Sequence, residues 1–95
     1  MDVKKIITDR QHLRFVILEK LYWKWFESSR SLIGTKKEIY GKVLTDEHLA
    51  VAYLHEKGFI TIDVSENPTN PREEKLILTI TATGIDYVED HILNS

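Results

Sequence analysis

The chain has 95 residues, 42% hydrophobic and 29% charged, the balance of one folded domain with a modest core rather than a disordered chain. It holds no cysteine, which removes disulfides, thiolate metal sites and cysteine nucleophiles together. The net charge of −2 hides a split: ten Lys and Arg stand against five Asp and Glu over residues 1–42, and three against ten over residues 43–95. A basic front and acidic back would let one face approach phosphate, although chance scatter in a small protein explains the same split equally well. No apolar run approaches the ~20 residues that span a bilayer, and the opening MDVKKIITDRQ lacks a signal-peptide core. The expectation is a single domain over 1–95, cytoplasmic and without membrane contact.

Thr8 and Gln11 have capping-box spacing, with Asp9 in the favourable first turn, and predict a first helix over about residues 9–28. Its apolar residues form two stripes, Phe15, Leu18, Tyr22, Trp25 and Phe26 on one side and Leu13, Ile17 and Leu21 on another. Such a helix is either the central helix of the core or one that also packs on a second subunit through its surplus aromatic surface, Trp23 especially. Thr35 and Glu38 repeat the capping-box spacing and start a short helix near 36–42, which Gly41 terminates. Thr45 then caps a helix over 46–57, with Asp46 and Glu47 in its first turn and Gly58 as its stop.

Phe59–Val64 and Lys75–Thr81 alternate like an antiparallel hairpin. The stretch between them, Ser65–Glu74, is long for a hairpin loop, and Pro68 and Pro71 forbid regular pairing there. Thr81 or Thr83 caps a last helix to about Leu93, with Ile85, Val88 and Ile92 as its apolar stripe.

The segments VAYLHEKGFITI and LILTITATGIDYVE resemble the second half of a winged helix-turn-helix domain of the MarR or PadR regulator type. The resemblance covers roughly half the chain. It implies an α+β fold in the order helix, short strand, helix, helix, two-stranded wing, C-terminal helix. The helix before Gly58 would be the recognition helix, the hairpin the wing, and Ser31–Gly34 a brief strand pairing with it. A DNA-binding transcription regulator is implied, with terminal helices building a two-fold dimer.

The residues qualify that expectation. With Val51 and Leu54 taken as core, as the resemblance implies, and Ala50 beside them facing inward, the third helix presents Leu49, Ala52, Tyr53 and Glu56. Direct base reading uses Arg or Lys on guanine and Asn or Gln on adenine, and none of these stands on that face. Asp46, Glu47 and Glu56 would repel phosphates. The candidates for duplex DNA are therefore Tyr53 on the exposed face and the phosphate-binding side chains Lys36, Lys37, Lys42, Arg72 and Lys75. Lys36 and Lys37 also open a helix, where free N–H groups favour anions. Each of these cations, taken singly, reads first as solvated surface. The candidate dimer surface is Tyr22, Trp23, Trp25 and Phe26 with Ile92. The alternative function is the same fold as a protein-interaction module that binds no nucleic acid.

Catalysis has no support. His12, His48, His55 and His91 lie on three predicted helices; His48 and His55 share a face, but no third ligand stands near. No phosphate-binding glycine loop, nucleophile elbow or paired-carboxylate motif occurs. No cofactor or metal is expected. An aromatic effector pocket around Tyr22 and Trp25 is a third reading, but the sequence names no ligand for it.

Overall fold

The computed structural model describes residues 2–41, 45–65 and 74–94. Its first helix, α1, runs Val3–Trp25, beginning well ahead of the Thr8 cap that the sequence implies. Asp2 supplies the cap instead, its carboxylate accepting from the backbone N–H groups of Lys4 (3.0 Å) and Lys5 (3.3 Å). Thr8 is an interior residue whose hydroxyl donates back to the Lys4 carbonyl at 2.8 Å. Nothing between residues 3 and 25 breaks a helix, so the acceptor nearest the chain start decides where it begins. The far end closes in a tight turn, with Phe26 N–H donating to the Trp23 carbonyl and Glu27 N–H to that of Lys24.

The expected central role of α1 holds for Leu18 and Leu21, both fully buried, with Phe15, Ile17, Tyr22 and Trp25 packed partly against the core. Phe26 departs from the expected stripe. It is the capping residue just past the last helical turn, and it is 63% exposed.

Strand β1 (Leu32–Thr35) leads into the one-turn helix α2 (Lys36–Tyr40). The expected capping box forms there: Glu38 N–H donates to Thr35 Oγ1 at 3.2 Å, and Thr35 N–H to Glu38 Oε1 at 3.0 Å. Gly41 ends α2 at a φ of 67°, a conformation that glycine adopts without strain. Helix α3 (Asp46–Glu56) starts at Thr45, whose hydroxyl accepts from His48 N–H and donates to the Tyr40 carbonyl. One side chain thus joins the end of α2 to the start of α3 and sets their relative placement.

At the other end of α3, Gly58 N–H donates to the His55 carbonyl and Phe59 N–H to that of Leu54, both at 3.0 Å, with Gly58 at a φ of 77°. This paired closure turns the chain directly into strand β2 (Ile60–Ser65). Strand β3 (Lys75–Ile80) returns antiparallel, in register from Ile60 opposite Ile80 to Ser65 opposite Lys75. On its other edge β3 pairs with β1, from Leu32 opposite Leu78 to Thr35 opposite Lys75, so the sheet order is β1-β3-β2. Alternation buries Leu76, Leu78 and Ile80 on one face of the central strand.

Helix α4 (Ala82–Leu93) is capped by Thr81, whose hydroxyl accepts from Gly84 N–H at 3.1 Å and donates to the Gly58 carbonyl at 2.6 Å. Its Val88 joins Leu18, Leu21, Val51, Leu54, Ile60 and Leu78 in the fully buried centre. Each such side chain contributes about 1.5–3 kcal/mol through burial. The described residues therefore make an α+β fold, four helices on a small antiparallel sheet. No helix among them is long and apolar enough to cross a membrane.

Candidate nucleic-acid and partner-binding face

Helix α3 owes its orientation to the core, and the core leaves one side of it in solvent. Ala50, Val51 and Leu54 are buried, while Leu49 is 52% and Tyr53 38% exposed, and Ala52 and Glu56 are exposed beside them. Tyr53 is not a free ring. The Arg14 guanidinium of α1 lies 4.1 Å from its centroid, and the Lys57 ammonium 5.8 Å from it. Arg14 is itself held, its Nε donating to the Arg10 carbonyl at 3.3 Å. Arg10, Arg14 and Lys57 thus bring positive charge to a face on which Asp46 and Glu56 are acidic. Between α1 and α3 lies a groove of about 390 Å³, with Ile7, Leu13 and Leu49 as apolar wall and Arg10 and Arg14 at its edge.

Of the phosphate candidates, Lys36 and Lys37 are exposed at the start of α2, and Lys75 is exposed opposite Thr35, so the register brings the three to one corner. Among the described residues the one side-chain ion pair is Lys24–Glu27 at 3.3 Å, so neither Lys36 nor Lys37 is neutralised by a bridging carboxylate. The helix-terminus contribution expected at Lys36 and Lys37 is small. A single turn sums few peptide dipoles, and the capping box already occupies the Glu38 and Thr35 N–H groups. Any anion binding there is left to the lysine side chains. Glu38 reduces the corner's charge: hydrogen bonds from the Thr35 backbone and hydroxyl, aided by the charge of Lys75, hold its carboxyl below the usual carboxylate range. Lys42 and Arg72 lie outside the described residues.

The aromatic candidates separate into two groups. Trp23 is 58% exposed and Phe26 is more so, whereas Tyr22 and Trp25 are half-buried. Tyr22 packs edge-on to Trp23 (centroids 5.3 Å) and to Phe26 (5.1 Å), and its hydroxyl donates to Glu89 Oε2 at 2.9 Å. Trp25 turns away toward Arg30, whose guanidinium is 5.2 Å from its ring. Ile92 lies partly exposed on α4. Tyr22 and Trp25 thus have different neighbours. An aromatic-lined cleft lies at Phe15, Phe59, Tyr87 and His91, where Phe15 packs tilted against His91 at 4.3 Å and Phe59 stacks on Tyr87 at 4.7 Å. Among the described residues no group of acidic side chains and histidines is arranged to hold a metal.

No known protein family, curated protein or solved structure matches the chain. The site rests on its own chemistry. Sequence reasoning missed Arg10 and Arg14. Their i, i+4 spacing was visible and marks them as one stripe of α1, but only the packing of α1 on α3 says that the stripe borders Leu49 and Tyr53.

Proposed function

We propose that the chain is a winged helix-turn-helix protein of the transcription-regulator class, contacting duplex DNA chiefly through phosphates and acting as a two-fold dimer. The observation that carries this reading is the element order with the sheet order β1-β3-β2. It ties a hairpin to the end of α3 while the outer face of α3 stays in solvent, with Lys36, Lys37 and Lys75 exposed at the β1–α2 corner. In that arrangement α3 is the helix offered to a groove and the β2–β3 hairpin is the wing. Lys36, Lys37 and Lys75 neutralise phosphates, while Leu49, Ala52, Tyr53 and Glu56 supply no bidentate base contact. Binding is correspondingly weak, on the order of 10 µM at physiological salt, and largely independent of sequence.

Fluorescence anisotropy with a labelled duplex over a salt series tests this. The logarithm of affinity falls linearly with that of salt, and Lys36→Ala with Lys37→Ala reduces the slope by roughly 2, about 0.9 for each phosphate left without its lysine. Scrambling the duplex leaves affinity unchanged. Tight, sequence-dependent binding insensitive to those lysines would show that another surface reads the DNA. If no duplex binds at low salt, the protein-interaction module replaces the regulator; the exposure of Leu49 and the apolar α1–α3 groove favours that second reading.

A further inference from the structure

Two clefts flank the Arg14–Tyr53 stack. The α1–α3 groove lies on one side, and on the other a cleft of about 370 Å³ opens among α1, α3 and α4, walled by Phe15, Phe59, Tyr87 and His91. Arg14 and Tyr53 line both. The first cleft has two helical walls of matching length: Ile7 to Arg14 and Asp46 to Tyr53 each cover two turns, about 10 Å. That is the footprint of a third helix laid along the angle between them. Two features define what fits.

The wall is apolar at Ile7, Leu13, Leu49 and Ala50, of which Ile7 and Leu49 are about half exposed. The rim is cationic at Arg10 and Arg14, and neither arginine has a carboxylate within ion-pair reach among the described residues. Among the described residues Asp46, at the α3 end, is the one acid lining the groove. A phosphodiester backbone is polar along its whole length and would leave this apolar strip uncovered. An amphipathic helix matches both features.

We propose that the α1–α3 groove docks an acidic amphipathic helix of a partner protein, its apolar stripe on Leu13, Leu49 and Tyr53 and its carboxylates on Arg10 and Arg14. The charge arrangement orients the guest, with its acidic edge toward α1 and away from Asp46. Recognition is of the helix-in-groove kind, read through guest positions i, i+3 or i+4, and i+7. The seat shares Leu49 and Tyr53 with the α3 face offered to duplex DNA, so the two ligands exclude each other there, but it holds none of Lys36, Lys37 and Lys75, so peptide and phosphate binding are removed by different substitutions.

The probe is a labelled synthetic peptide of about five helical turns, with leucine at those apolar positions and glutamate over the rest. Its controls are a lysine-for-glutamate counterpart and a scrambled sequence. Anisotropy is expected to give an affinity on the order of 10 µM for the acidic peptide and at least about tenfold weaker binding of both controls. Arg10→Gln with Arg14→Gln weakens the acidic peptide about tenfold. Leu49→Glu, at an exposed position that leaves the core untouched, does the same by placing a repelling charge in the seat. Lys36→Ala with Lys37→Ala leaves it unchanged. Circular dichroism melts confirm that each variant is folded. The proposal is overturned if the acidic peptide binds no better than its controls, or if folded Arg10/Arg14 and Leu49 variants bind it as wild type does. Duplex binding that disappears with Arg10 and Arg14 would assign the groove to nucleic acid instead. A dimer that Leu49→Glu dissociates would assign it to a second copy.

Discussion

Replacing Gly84 by alanine tests the junction that locks α4 onto the end of β2 and β3. Gly84 lies in the first turn of α4, and a Cβ there would stand 2.3 Å from the Phe59 carbonyl oxygen and 2.7 Å from Ile80 Cγ1. The isoleucine can turn aside, but the carbonyl is backbone and already accepts from Thr81 N–H at 2.9 Å. Restoring ordinary spacing requires α4 and the Phe59 segment to separate by about 1 Å, since carbon atoms settle at roughly 3.5–4.0 Å. That movement stretches the Thr81–Phe59 bond and the Thr81 hydroxyl's bond to the Gly58 carbonyl. Overpacking of this kind costs roughly 1–3 kcal/mol, and a weakened backbone hydrogen bond adds about 1. The helix propensity gained from alanine offsets at most about 1 kcal/mol, because the position is in the first turn. A net loss of about 2–3 kcal/mol lowers the melting temperature of a domain this size by roughly 10–20 °C. Thermal melts by circular dichroism at one protein concentration decide it. A Gly84→Ala protein melting within about 2 °C of wild type, well inside the shift that 1 kcal/mol produces, would mean that the helix moves outward without loss and that this approach does not position α4.

The remaining expectations concern the aromatic end of α1. Trp23→Ala removes a ring that is mostly in solvent, so it leaves the melting temperature of the monomer nearly unchanged but weakens a two-fold dimer. Sedimentation equilibrium at micromolar concentration is the measurement, and a strictly monomeric wild-type mass would remove Trp23, Phe26 and Ile92 as interface residues. The Tyr22 hydroxyl is held above its ordinary value of 10.0, first by its hydrogen bond to Glu89, then by burial and the Glu89 charge. A folded value raised above the unfolded one means that this stabilisation is complete below about pH 10 and is lost as pH rises through the folded value. Glu89→Gln is expected to bring the Tyr22 phenolate titration back toward its ordinary value, while the burial-raised Tyr40 titrates as before. Superimposable titration curves for the two proteins would contradict the bond.

Local structure was legible wherever one residue type carries it. Thr35 with Glu38, Thr45, Thr81, Gly41 and Gly58 mark element ends in the sequence and stand at those ends in the structure, because capping and left-handed backbone depend on neighbours within a few residues. The inward Ala50, Val51 and Leu54 and the outward Leu49, Ala52 and Tyr53 of α3 stand where the resemblance put them: it supplied Val51 and Leu54 as core, and helical period placed the others around them. Where two caps compete, the sequence was ambiguous: Thr8 has the spacing, but Asp2 stands ahead of it on a run with no helix breaker, and the helix takes the earlier start. Tertiary structure decided what distance along the chain hides. The pairing of β1 with β3 brings Lys75 beside Lys36, and the crossing of α1 over α3 sets Arg14 on Tyr53 and opens the groove beside Leu49. Periodicity names the face on which a side chain stands, but only packing between distant elements determines what that face meets.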